Sequence, residues 1–126
     1  MSSILRKFKD RLPQSYLQFI SENKRFCGFL DDELGYVDLW DIHDLADAWN
    51  TLEIQSHLGE SWFPIGSNGG GEMIVIKLSS PSKKLFNIPF LTQSEKDAEL
   101  YCHDFSRLYD AISRHAGSTP LIRESS

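Results

Sequence analysis

Three consecutive glycines, Gly69-Gly70-Gly71, share this chain with four histidines and two cysteines. These residue types cradle phosphates, hold metals or act as nucleophiles when their spacing allows it. A phosphate loop needs a Lys-Ser/Thr pair after its glycines and a helix N-terminus facing the anion. Here Glu72-Met73-Ile74-Val75-Ile76 follows, an apolar and partly β-branched run that reads as a strand. The glycines are therefore read as turn residues that supply positive φ. His43, His57, His103 and His115 never stand at ligand spacing from a second His or Cys. Cys102 and His103 are adjacent, and adjacent side chains on a helix diverge by about 100°. No Gly-x-Ser-x-Gly elbow is present, and neither Cys27 nor Cys102 sits in a reactive motif. The pattern predicts a protein without catalytic residues, cofactor or metal.

The charged residues are distributed more pointedly. Residues 31–60 hold nine acids (Asp31, Asp32, Glu33, Asp38, Asp41, Asp44, Asp47, Glu53, Glu60) and no Lys or Arg. The net charge of −5 comes almost wholly from this block, since residues 1–30 are basic and 61–126 balanced. A single-sign field speeds association with an oppositely charged partner. Trp40 and Trp49 flank a segment bearing Asp41, Asp44 and Asp47, and interface hot spots favour Trp inside a polar rim. The plainer accounts are a solvated face for the acids and core packing for the tryptophans. The partner surface expected here is Asp31, Asp32, Glu33, Asp38, Trp40, Asp41, Asp44, Asp47 and Trp49. Negative charge argues against direct nucleic-acid binding, which needs a basic face.

What must position these residues follows from periodicity. Ile4, Leu5, Phe8 and Leu12 have helical spacing, and Pro13 suits the first turn of a helix over 13–23. Residues 26–30 and 35–40 read as a hairpin around Asp31-Asp32-Glu33-Leu34. Asp41 is placed to cap a helix containing Ile42, Leu45, Ala46 and Trp49. Residues 51–61 give no clear signal. Strands are expected over 73–78 and 85–90, in one sheet. Ser94 has the spacing of a helix start, and Ala98, Tyr101, Phe105, Leu108 and Ile112 trace one face of a closing helix over 98–115. Helices at both ends of a strand-rich middle predict an α+β fold, with a central, mostly antiparallel sheet.

Size and composition agree with one domain over 1–116 and a loose polar tail over 117–126. Fifteen aromatics are enough for a core without disulfide staples, and both cysteines are expected as reduced core thiols. No apolar run approaches the roughly 20 residues that cross a bilayer, and the N-terminus lacks a signal-peptide pattern. A cytoplasmic protein without membrane contact is expected.

Two segments carry a family resemblance. Leu12-Pro13-Gln14-Ser15-Tyr16-Leu17-Gln18-Phe19-Ile20 resembles the opening helix of the SUKH superfamily, Leu-Pro-x-x-(Tyr/Phe)-x-x-Phe. Phe63-Pro64-Ile65-Gly66-Ser67-Asn68-Gly69-Gly70-Gly71-Glu72 is similar to its aromatic-Pro-Ile-Gly and Gly-Gly-(Asp/Glu) signature, and Phe105 and Leu108 fit its closing helix. The strand after the glycines departs from many members, which place an acidic or other polar residue within it where this chain has Met73-Ile74-Val75-Ile76-Lys77. The resemblance implies a non-enzymatic protein-binding domain. Its bacterial members include immunity proteins that neutralise polymorphic toxins, many of them nucleases, and its eukaryotic members include cell-wall scaffolds. An immunity protein facing a basic toxin domain is the reading that also fits the acidic block. A scaffold without a toxin partner is the alternative, and a small enzyme or ligand carrier the third.

Overall fold

The computed structural model describes residues 3–22 and 25–118. Six strands pair consecutively, every pair antiparallel: β1 (Phe26–Phe29), β2 (Tyr36–Leu39), β3 (Trp62–Ser67), β4 (Glu72–Lys77), β5 (Leu85–Pro89) and β6 (Glu99–Cys102). Five helices accompany them: α1 (Ser3–Phe8), α2 (Gln14–Ser21), α3 (Ile42–Thr51), α4 (Ile54–Leu58) and α5 (Phe105–Ser118). The α+β class and the helices at both ends are as the periodicity predicts.

The core is built on β3 and β4. Met73, Ile74, Val75 and Ile76 are all fully buried, so β4 is covered on both faces, as its unbroken apolar run requires. Phe63 on β3 is where helices converge. Its ring centroid lies 5.3 Å from Phe8 of α1, 5.9 Å from Tyr16 of α2 and 4.9 Å from Trp49 of α3. Tyr16 in turn meets Phe105 of α5 at 5.2 Å, edge to face. These tilted and edge-on geometries are the ones aromatic quadrupoles favour.

The glycine-bearing signature has a steric reason. A Cβ on Gly66 would stand 2.4 Å from the Asp38 carbonyl oxygen, so only glycine lets β3 approach β2 there. Gly69 and Gly71 take φ of +76° and +90° in the β3–β4 turn, where Asn68 Oδ1 accepts from the Gly70 and Glu72 N–H groups.

The closing helix begins later than its apolar spacing predicts. Residues 99–102 form β6, with Phe86 opposite Leu100 and Leu85 opposite Cys102. Ala98 and Tyr101 are in register with the helix by periodicity, but this segment satisfies the backbone of β5 instead. The cap of α5 is Asp104, whose Oδ1 accepts from Arg107 N–H at 3.1 Å. Ser94 caps only a single 3-10 turn over 95–97. At the other end α5 includes Gly117 and Ser118, two residues of the expected tail, and the rest of the tail lies outside the described residues. The unassigned stretch 51–61 holds α4, which follows Glu53 in the left-handed region at φ +51°. Cys102 is buried, but Cys27 is exposed on β1, because strand alternation turns Phe26 inward and Cys27 outward.

Candidate functional site

The first hairpin and α3 gather most of the acidic block into two clusters, one at the hairpin turn and one where β2 and α3 meet. At the hairpin turn, Asp31 folds the chain back on itself. Its Oδ1 accepts from the N–H groups of Glu33 (3.0 Å) and Leu34 (2.7 Å), and Gly35 follows at φ +68°. The Leu34 N–H, with help from Arg107, holds the Asp31 carboxyl below its ordinary value of 3.8. Arg107 reaches across from α5 to Glu33 at 2.7 Å and to Asp31 at 3.5 Å. Asp32 between them is exposed and has no ion-pair partner among the described residues.

The second cluster surrounds an open depression of about 360 Å³, lined by Arg25, Asp38, Trp40, Asp44, Asp47 and Ala48 among others. Arg25 bridges Asp38 at 3.2 Å and also pairs with Asp44. Asp41 is the helix cap that the sequence predicts, accepting from Asp44 N–H at 2.9 Å, so its carboxylate is committed to α3. Asp47, one turn on from Asp44, is exposed and without an ion-pair partner among the described residues.

The two tryptophans separate. Trp40, half-buried, forms part of the depression wall. Trp49 does not belong to the surface, and the expectation that it joins a partner interface is corrected. It is 5 % exposed, packs at a tilt in the core against Phe63, and donates from Nε1 to the Pro64 carbonyl. Its place on the Ile42–Leu45–Trp49 stripe accounts for this, since that stripe faces the sheet.

Sequence reasoning missed three things. Arg25 and Arg107 come from outside the block and neutralise part of it. Phe29 and Tyr36, 56 % and 41 % exposed, lie opposite each other on the outward face of the first hairpin, beside Cys27. The Cys27 Sγ and the Tyr36 hydroxyl are 2.7 Å apart, and this contact raises the Tyr36 hydroxyl above its usual range. The alternation in Phe26-Cys27-Gly28-Phe29 carried the signal for that face, because Cys27 and Phe29 share one parity.

Among the described residues no three His, Cys, Asp or Glu side chains could hold a metal ion together. His115 packs edge-on against Phe26, and Cys102 Sγ donates to the Asp104 carbonyl. A second depression, lined by His57, Trp62, Gln93, Ser94, Glu95 and Lys96 among others, commits Glu95 to Trp62 Nε1 and Ser94 Oγ to Lys96 N–H. Among the described residues no helix is long and apolar enough to cross a membrane.

The two signature segments thus become the start of α2 and the β3–β4 hairpin, of which β3 pairs with β2 and packs Phe63 against Trp49 of α3. Comparison with the curated proteins finds no match. A family model does match, over residues 3–111, most of the chain. The chain belongs to the SMI1 / KNR4 family (SUKH-1).

Proposed function

We propose that this chain is a non-catalytic protein-binding domain that acts as an immunity protein, covering the cationic active-site cleft of a basic toxin domain, of nuclease type. The observation that carries this reading is the pair of acidic clusters, one at the hairpin turn and one around Asp38 and α3. Asp31, Asp32, Glu33, Asp38, Asp44 and Asp47 stand there against two guanidinium groups, those of Arg25 and Arg107. A nuclease must present positive charge to its substrate, so an inhibitor that occludes it needs the opposite sign. Membership in a family of protein-binding domains supports the same reading. So does the way the reactive residue types are spent on packing and caps. The protein is expected to work inside the cell, where it would meet the toxin.

The test uses as partner a basic nuclease domain of a bacterial polymorphic toxin, expected to be encoded beside this gene. Asp32→Lys together with Asp47→Lys changes two acids that no described residue pairs with, so folding should shift by less than about 0.5 kcal/mol. Association should slow by about tenfold or more at low salt, because exposed charges act on encounter. Raising salt from about 0.05 M to about 0.5 M shortens the Debye length from roughly 14 Å to roughly 4 Å. Wild-type association should slow far more over that range than that of the variant. Equal rates and equal salt response would overturn the proposed surface. Binding that leaves nuclease activity intact would assign the domain to scaffolding instead.

A further inference from the structure

We propose that the free edge of β1 is a docking rail, which takes up an extended, basic segment of the partner as a seventh strand of the sheet. The proposal rests on the reading above and names how that partner is held.

Among the described residues β1 is an end strand, pairing with β2 alone. The Leu30 N–H donates to the Gly35 carbonyl at 2.9 Å. Bonded positions alternate along an antiparallel pair, so Gly28 and Phe26 turn their polar groups toward β2. Cys27 and Phe29 turn theirs away from the sheet, and those groups have no backbone partner among the described residues. Soluble proteins usually block such an edge with lysine, proline or a bulge. Phe26-Cys27-Gly28-Phe29 contains no charge and no proline, and its four pairs with β2 run without a register shift.

The face beside this edge is built to receive side chains. Phe29 and Tyr36 form an exposed aromatic pair, and the ring of Tyr36 is set in place by Gly69, where a Cβ would come within 2.7 Å of it. The charges at the two ends select the occupant. Asp31, Asp32 and Glu33 stand against Arg107 at one end of the strand, and Asp38, Asp44 and Asp47 stand against Arg25 at the other, so each end holds three carboxylates to one guanidinium. An added strand therefore meets an apolar middle and acidic ends. The segment that fits has alternating apolar residues flanked by lysine or arginine. Main-chain bonds would supply affinity and the alternate side chains specificity. A second copy of this chain would bring the same excess of carboxylates to the edge and is disfavoured by like charge.

The experiment titrates the full chain with a synthetic nonapeptide of alternating Lys and Val, and with the same peptide N-methylated on alternate amides. Amide NMR and hydrogen exchange provide the readout. The first peptide should protect the Cys27 and Phe29 amides, and N-methylation should weaken binding by about tenfold, because it removes the edge hydrogen bonds. Cys27→Pro should abolish protection while leaving the thermal melt nearly unchanged, since an outward-facing N–H on an end strand is where proline is tolerated. If that variant does not fold, the N-methylated peptide still decides the matter on the wild-type chain. Equal binding of both peptides, with shifts confined to Asp44, Asp47 and Trp40, overturns the strand proposal and leaves the acidic surface standing. No binding of either peptide at low salt overturns both. Protection of Cys27 and Phe29 that grows with protein concentration alone makes a second copy the occupant and also overturns the proposal.

Discussion

The hydroxyl of Tyr101, on the last strand, donates a 2.8 Å hydrogen bond to the carbonyl of Leu34, in the turn of the first hairpin. The two residues are 67 positions apart, and the bond ties opposite ends of the sheet together. Arg107 reinforces the tie by reaching Asp31 and Glu33 in the same turn. The acidic hairpin is thus anchored by β6 and α5, elements that follow it by more than sixty residues.

Tyr101→Phe should therefore loosen the hairpin without disturbing the core. The variant loses one hydrogen bond and leaves a part-buried carbonyl without its partner, which costs about 1 kcal/mol. Urea denaturation should show a lower midpoint at unchanged slope. Amide exchange at Leu34 and Gly35 should quicken while that of β4 stays slow. Unchanged exchange in the turn would show that Arg107 alone holds it.

The aromatic cluster gives a larger effect. Phe105 is fully buried and meets Tyr16 at 5.2 Å and Phe19 at 5.7 Å, so it locks α5 to α2. Phe105→Ala should cost about 3–5 kcal/mol, a substantial part of the stability of a small domain. The melting temperature should fall by about 10 °C or more in calorimetry. A shift of only a degree or two would mean that α5 contributes little to the core.

How legible these features were in the sequence depended on how local they are. Helix α3 could be read because its cap, Asp41, and its stripe, Ile42, Leu45 and Trp49, lie within nine residues. The start of α5 could not, because Ala98, Tyr101 and Phe105 satisfy a helical period while Leu100 and Cys102 find strand partners on β5. Pairing across a sheet is a long-range fact that local spacing does not encode. The acidic block shows the same limit. Its carboxylates fall within thirty residues and are visible there, whereas Arg25 lies 13 residues from Asp38 and Arg107 lies 74 from Glu33. The two tryptophans are equivalent as types, yet Trp49 lies on the inward stripe of α3, whereas Trp40 follows β2 and is half-buried at the depression.

Tyr16 offers a test in which one oxygen atom decides the sign. Its ring is fully buried between Phe63 and Phe105, and its hydroxyl has no hydrogen-bond partner among the described residues. A buried hydroxyl without a partner is a net cost, and the family pattern Leu-Pro-x-x-(Tyr/Phe) admits Phe at this position. Tyr16→Phe keeps both ring contacts and should stabilise the protein by about 1 kcal/mol, raising the melting temperature by about 3–5 °C. Burial also pushes the Tyr16 hydroxyl far above its ordinary value of 10.0. The fold therefore favours the protonated form, and this contribution is complete below pH 10. As pH rises past that value the unfolded chain releases the proton while the folded chain keeps it, so stability falls by about 1.4 kcal/mol per pH unit for each such group. Burial raises the Tyr101 hydroxyl and the Cys102 thiol as well, and the contact with Cys27 raises the Tyr36 hydroxyl, so the wild type carries the slope of all these groups. Denaturation curves collected from pH 9 to pH 11 should then show Tyr16→Phe losing stability less steeply than the wild type, the gap between them widening with pH. A variant less stable than the wild type at neutral pH, with the same alkaline slope, would mean that the hydroxyl is solvated or bonded in solution and that the cavity around Tyr16 is not dry.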